Sequence, residues 1–170
     1  MASTVLPLWA WIRTSSSYER PASFEAGQDI RDRAFDYACR VVDFCQKLSE
    51  GPSIGRLMVP QLLNCSLSFA TMLEEARAAE SDADFISKCC IGLKECRESW
   101  TRMRVCQRCR IGPQNDSVAL VREANELISI VGTIIRNKRR SVAAKLAARK
   151  AERLARRSKK TRTSNPGTNS

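Results

Sequence analysis

Between residues 29 and 49 the apolar positions Ile30, Ala34, Tyr37, Val41, Phe44 and Leu48 recur at steps of three and four, with Ala38, Val42 and Cys45 beside them. Such spacing falls on one face only in an α-helix, so a first helix is predicted there, ended by Gly51-Pro52-Ser53. A second helix is expected over about 53–79, along Ile54, Met58, Leu62, Cys65, Phe69, Met72 or Leu73, and Ala76. Pro60 lies inside it and has no N–H to give, which predicts a kink or a late start. Ser81 then reads as an N-cap, with the carboxylates of Asp82 and Asp84 suited to the positive end of a helix dipole. The third helix is expected to run to about Arg110 along Phe85, Cys89, Leu93, Cys96 and Trp100, and to close at Gly112-Pro113. Asn115 or Asp116 is the expected cap of the fourth, whose core line is Val121, Ala124, Ile128, Val131 and Ile135, with Leu120, Leu127 and Ile134 as a second line.

Four helices joined by short turns predict an all-α fold, an antiparallel up-down-up-down four-helix bundle over 28–140. The two lines of the fourth helix, with Ile130, cover more of its circumference than a helix in a monomeric bundle needs. That surplus points either to a second seam, hence self-association, or to a thick core within one subunit. Residues 1–27 show no sustained period and are expected to be a disordered leader. Beyond Arg140 the run SVAAKLAARKAERLARRSKK is rich in strong helix formers, which predicts a basic helical extension to about Arg157, with 158–170 disordered.

Charge changes the picture more than overall composition does. Of the 29 lysines and arginines, 13 lie in 136–170 beside the single acid Glu152, leaving 16 basic and 17 acidic side chains in the rest. The body is balanced and the C-terminal arm (141–170, with the basic end of the fourth helix) carries the excess, as interaction arms and solubilising tails do. Arginine and lysine all round an alanine-rich rod suit phosphate neutralisation without base readout. The expected nucleic-acid contacts are Arg136, Lys138, Arg139, Arg140, Lys145, Arg149, Lys150, Arg153, Arg156 and Arg157. An anionic membrane is the weaker match, because Val142, Leu146 and Leu154 make only a thin apolar line.

The eight cysteines mostly fall on apolar helix faces, and the N-terminal MASTVLPLWAWIR lacks the basic start of a secretory signal. A reducing, cytoplasmic setting is therefore expected, with no membrane span. Cys106-Gln107-Arg108-Cys109 is a single C-x-x-C at a helix end, where zinc sites usually pair two such motifs. Core packing is its expected role, with no metal and no cofactor. Glu75, Lys88, Lys94, Glu95 and Glu98 have the residue types of an acid–base site, but the chain has no histidine, no phosphate-cradling glycine loop and no nucleophile elbow. A structural polar network of Glu75, Lys88, Lys94 and Glu95 is expected instead, and no enzyme.

The same stretch carries a resemblance. Ser68, Glu75-Ala76, Ala79, Ser81, Asp84-Phe85, Lys88, Ile91, Leu93-Lys94-Glu95 and Glu98-Ser99, followed by EANELISIVGTIIRNKRR, resemble the bacterial four-helix bundle proteins encoded in intervening sequences of large-subunit ribosomal RNA genes. The resemblance spans about 28–140. It departs where Met72 replaces the family's usual asparagine and Leu63-Asn64 its usual basic residue. It implies a four-helix bundle, assembly as a homopentamer, and kinship with the accessory variability determinant of diversity-generating retroelements, which binds nucleic acid and partners a reverse transcriptase. It also implies that the polar network sets helix register and subunit contacts. The function expected is thus a non-enzymatic, oligomeric accessory protein that binds RNA or DNA. The alternative is a protein-interaction scaffold with a solubilising tail.

Overall fold

The computed structural model describes residues 28–51 and 53–163; the expectations for 1–27 and 164–170 lie outside it. Four helices follow in order: α1 (Ile30–Glu50), α2 (Ser53–Arg77), α3 (Asp82–Arg108) and α4 (Gln114–Thr163). α1 packs on α2, α2 on α3, α3 on α4, and α4 closes on α1. Side-chain pairs show that neighbours run antiparallel. Lys47 late in α1 meets Asp116 early in α4 at 2.6 Å, and Glu75 late in α2 meets Lys88 early in α3 at 2.9 Å. The fold is the expected all-α four-helix bundle.

Local chemistry sets the helix ends. Asp29 caps α1 by accepting from the Arg31 N–H, and Ser81 caps α3 by accepting from the Asp84 N–H at 3.1 Å. α2 begins at Ser53, seven residues ahead of Pro60, so the late start does not occur and the helix runs through the proline. α4 begins at Gln114, ahead of the expected caps. Asn115 and Asp116 lie in its first turn, with the Ser117 N–H bonded to the Pro113 carbonyl at 3.1 Å. The turn before it needs Gly112, whose φ is +78° and where an added Cβ would lie 2.5 Å from Leu48 Cδ2.

The core follows the expected α1 line: Ala34, Tyr37, Ala38, Val41, Phe44, Cys45 and Leu48 are buried. On α2, Leu62, Cys65, Phe69, Leu73 and Ala76 are buried, but Ile54 is exposed. Gly55 takes the inward position instead, close against the Leu48 carbonyl, so Ile54 is turned about 100° away. On α3 the buried line is Cys89, Gly92, Cys96, Ser99, Met103 and Cys106, whereas Phe85, Leu93 and Trp100 sit at its half-buried edge. Small residues face inward because α3 approaches α2 closely: a Cβ on Gly92 would lie 3.2 Å from Met72 Cβ. On α4 the buried line draws from both expected lines, as Leu120, Ala124, Leu127, Val131 and Ile135.

Buried polar groups cross this core. Tyr37 Oη and Ser99 Oγ, on diagonally opposed helices, lie 2.7 Å apart, and burial pushes the Tyr37 hydroxyl pKa well up. Arg33 of α1 meets Glu123 at 2.7 Å and Glu126 at 3.0 Å on α4, the first two side chains being 10% and 4% exposed. Burial, with the Glu126 carboxylate adding to it, holds Glu123 above the usual carboxylate range despite Arg33.

Candidate nucleic-acid interface

α4 is one helix of 50 residues, and its last core residue is Ile135. The extension expected to about Arg157 continues as helix to Thr163, so 158–163 are helical rather than disordered. At 1.5 Å per residue the segment 136–163 reaches about 40 Å. Four contacts with α3 hold its beginning. Lys138 and Lys145 both bind the Asp82 carboxylate, at 2.6 and 3.3 Å, and Lys138 also lies 5.2 Å over the Phe85 ring. The two ammonium groups hold the Asp82 carboxyl below the usual range. Arg139 reaches Cys90 Sγ at 3.4 Å.

The predicted contact residues therefore fall into groups. Lys138, Arg139 and Lys145 are tied to α3, while Arg136 bonds Thr133 Oγ1 at 2.9 Å and Arg156 meets Glu152 at 2.6 Å. Arg140, Arg149, Lys150, Arg153 and Arg157 are exposed along the same helix. A continuous helix also groups the cations of 145–157. At 100° per residue, Lys145, Arg149, Lys150, Arg153, Arg156 and Arg157 share an arc of about 140°, and Ala144, Ala147, Ala148, Ala151 and Ala155 fill the opposite side. Arg136 and Arg140 fall outside that arc, Arg140 on the alanine side, so the one-sided row is that of 145–157 alone. That row continues the side of α4 that carries the core below.

Of the predicted polar network, Glu75 and Lys88 meet, and Lys88 lies 3.9 Å from Asp84. The Lys88 ammonium pKa is raised first by its bond to Glu75. Lys94 and Glu95 are not brought to them. Lys94 is exposed, Glu95 half-buried, and neither has an ion-pair partner among the described residues. Lys94 instead borders an open depression of about 770 Å³ on the outer side of α3, with Arg97, Glu98 and Arg102. Glu98 binds Arg102 at 3.1 Å there, as their spacing of four predicts.

Cys106 is buried in the core while Cys109 is the exposed C-cap of α3. Burial pushes the Cys45 and Cys96 thiols up to about 12, which keeps them protonated and unreactive. Among the described residues no helix is long and apolar enough to cross a membrane.

Sequence reasoning missed the buried Arg33–Glu123 pair and the anchoring role of Asp82. No periodic signal marks either, because both depend on which helices become neighbours.

No family model and no curated protein matches the chain. Among solved structures it is similar to a protein of unknown function from the S23 ribosomal protein family of Bacteroides thetaiotaomicron. The two superpose with a TM-score of 0.57 at 24% identity, covering 63% of this chain and 98% of that one. The likeness is one of fold.

Proposed function

We propose that this chain is a non-enzymatic nucleic-acid-binding protein that works as a homo-oligomer. One observation carries the reading: α4 leaves the bundle as a continuous helix on which the cations of 145–157 share one side, Arg149, Lys150 and Arg153 exposed among them. A solubilising tail has no need of such order. A phosphate backbone does, because each cation set against a phosphate releases a condensed counterion. The resemblance noted from the sequence makes a five-membered ring the assembly to test and a reverse transcriptase the protein partner to look for. A half-open apolar groove between α1 and α2, with Phe35 and Leu67 56% and 48% exposed, offers the seam between copies.

The test is binding of the full chain to a structured RNA and to duplex DNA across a salt series, beside Arg149→Ala/Lys150→Ala/Arg153→Ala. Alanine preserves the helix. The variant is expected to lose about 2.7 units of salt slope on DNA, roughly 0.9 per phosphate contact. Equal binding and equal slope would make the arm a tail and favour a scaffold.

A further inference from the structure

The charge balance of the body hides a segregation that appears only when α3 is placed at a corner of the bundle. At 100° per residue, Cys90, Lys94, Arg97, Thr101, Arg104 and Arg108 lie within about 80° of arc, along one line of α3. Lys94, Arg97, Arg104 and Arg108 are all exposed. No acidic side chain of α3 falls in that arc. Glu98, at its margin, is bound to Arg102, and Asp82 and Asp84 are engaged by lysines at the start of the helix. Lys94, Arg97 and Arg108 have no ion-pair partner among the described residues, and the Arg104 guanidinium lies 4.4 Å over the Trp100 ring.

We infer that this line of α3 is a second nucleic-acid contact, which binds the phosphate backbone of a duplex. The inference rests on the reading of the chain as a nucleic-acid binder and extends it from the arm to the body. From Lys94 to Arg108 the line is about 21 Å long, and a duplex presents a charge about every 1.7 Å of its axis. Arg139 of α4, whose guanidinium sits on Cys90 at the head of this line, joins it to the arm. A duplex fits better than a single strand, because the ring beside the line, Trp100, is half-buried and has the Arg104 guanidinium stacked over it, which competes with a base for that face. A lipid surface fits worse, because the line itself carries no large apolar side chain to enter it.

The experiment uses the full chain, Lys94→Ala/Arg97→Ala/Arg108→Ala, and the arm variant above, each checked for helix content. Probes are a 30-base-pair duplex, a single strand of the same length and phosphatidylserine vesicles, in a salt series. The α3 variant is expected to lose about 2 to 3 units of salt slope on the duplex, to change little on the single strand, and to add its loss to that of the arm variant. If the arm variant loses duplex binding and the α3 variant keeps the wild-type slope, the second contact is refuted while the arm reading stands. Failure of the wild type to bind the duplex overturns both. Loss of vesicle binding alone in the α3 variant overturns the inference in favour of a membrane.

Discussion

At the residue scale, two positions show how the surroundings set the meaning of a side chain. Gly112 holds the α3–α4 turn at a φ that disfavours other residues, with no room for a methyl group beside Leu48 and Phe44. Gly112→Ala is expected to cost about 1–3 kcal/mol, read as a lower melting temperature with helix content retained. Arg33 and Glu123 are the second case. Removing the cation leaves a carboxylate buried and unpaired, so Arg33→Met is expected to destabilise the chain by about 3–5 kcal/mol in chemical denaturation. The pair also predicts a pH dependence. Burial raises the folded-state pKa of Glu123, so between its unfolded and folded values the folded chain holds the extra proton. Wild-type stability relative to Glu123→Gln should then fall as pH rises from about 4 and level off above the folded pKa. A wild type that gains on the variant over that range would mean that pairing with Arg33 outweighs burial.

At the element scale, α4 joins a bundle helix to the basic helical extension that the sequence predicts, as one continuous element. Up to Ile135 one side is apolar and buried; beyond it the same side is cationic. Asp82 joins the two regimes by holding Lys138 and Lys145 against the start of α3. Asp82→Asn should free both ammonium groups and steepen the salt dependence of duplex binding by up to about 1.8 units, two further phosphates. An unchanged slope would mean that a phosphate displaces the carboxylate without cost. α3 makes the complementary point. The expected apolar line shares Cys89 and Cys96 with the buried one and departs from it at Phe85, Leu93 and Trp100, which sit at the half-buried edge. Close approach to α2 puts Cys89, Gly92, Cys96 and Ser99 on the buried line.

At the scale of the whole molecule, cations gather on the outer line of α3 and, over 145–157, on one side of α4, and an apolar groove opens between α1 and α2. α1 and α3 occupy diagonal corners of the bundle, so copies joined through the α1–α2 groove leave the outer line of α3 free. Light scattering should give a mass several times the 19.0 kDa of one chain, and Phe35→Glu/Leu67→Glu should reduce it while leaving the helices formed. A single-chain mass for the wild type would remove assembly from the proposed function.

The four helices, their order and most of their ends were legible in the chain itself, because period, capping and breakers act within a few residues. The core line of α1 was legible for the same reason, and so was the excess of charge in the arm. Which residue of α3 faces inward, and which acid holds the arm, were not legible. Nor was the fact that a body balanced in charge has a cationic edge. These depend on distances between segments far apart in sequence, and only packing sets those. Ile54 and Gly55 show the difference at its smallest: the periodicity along the chain puts Ile54 on the inward line, and the Leu48 carbonyl, 3.2 Å from where a Cβ on residue 55 would lie, crowds that position in favour of the glycine.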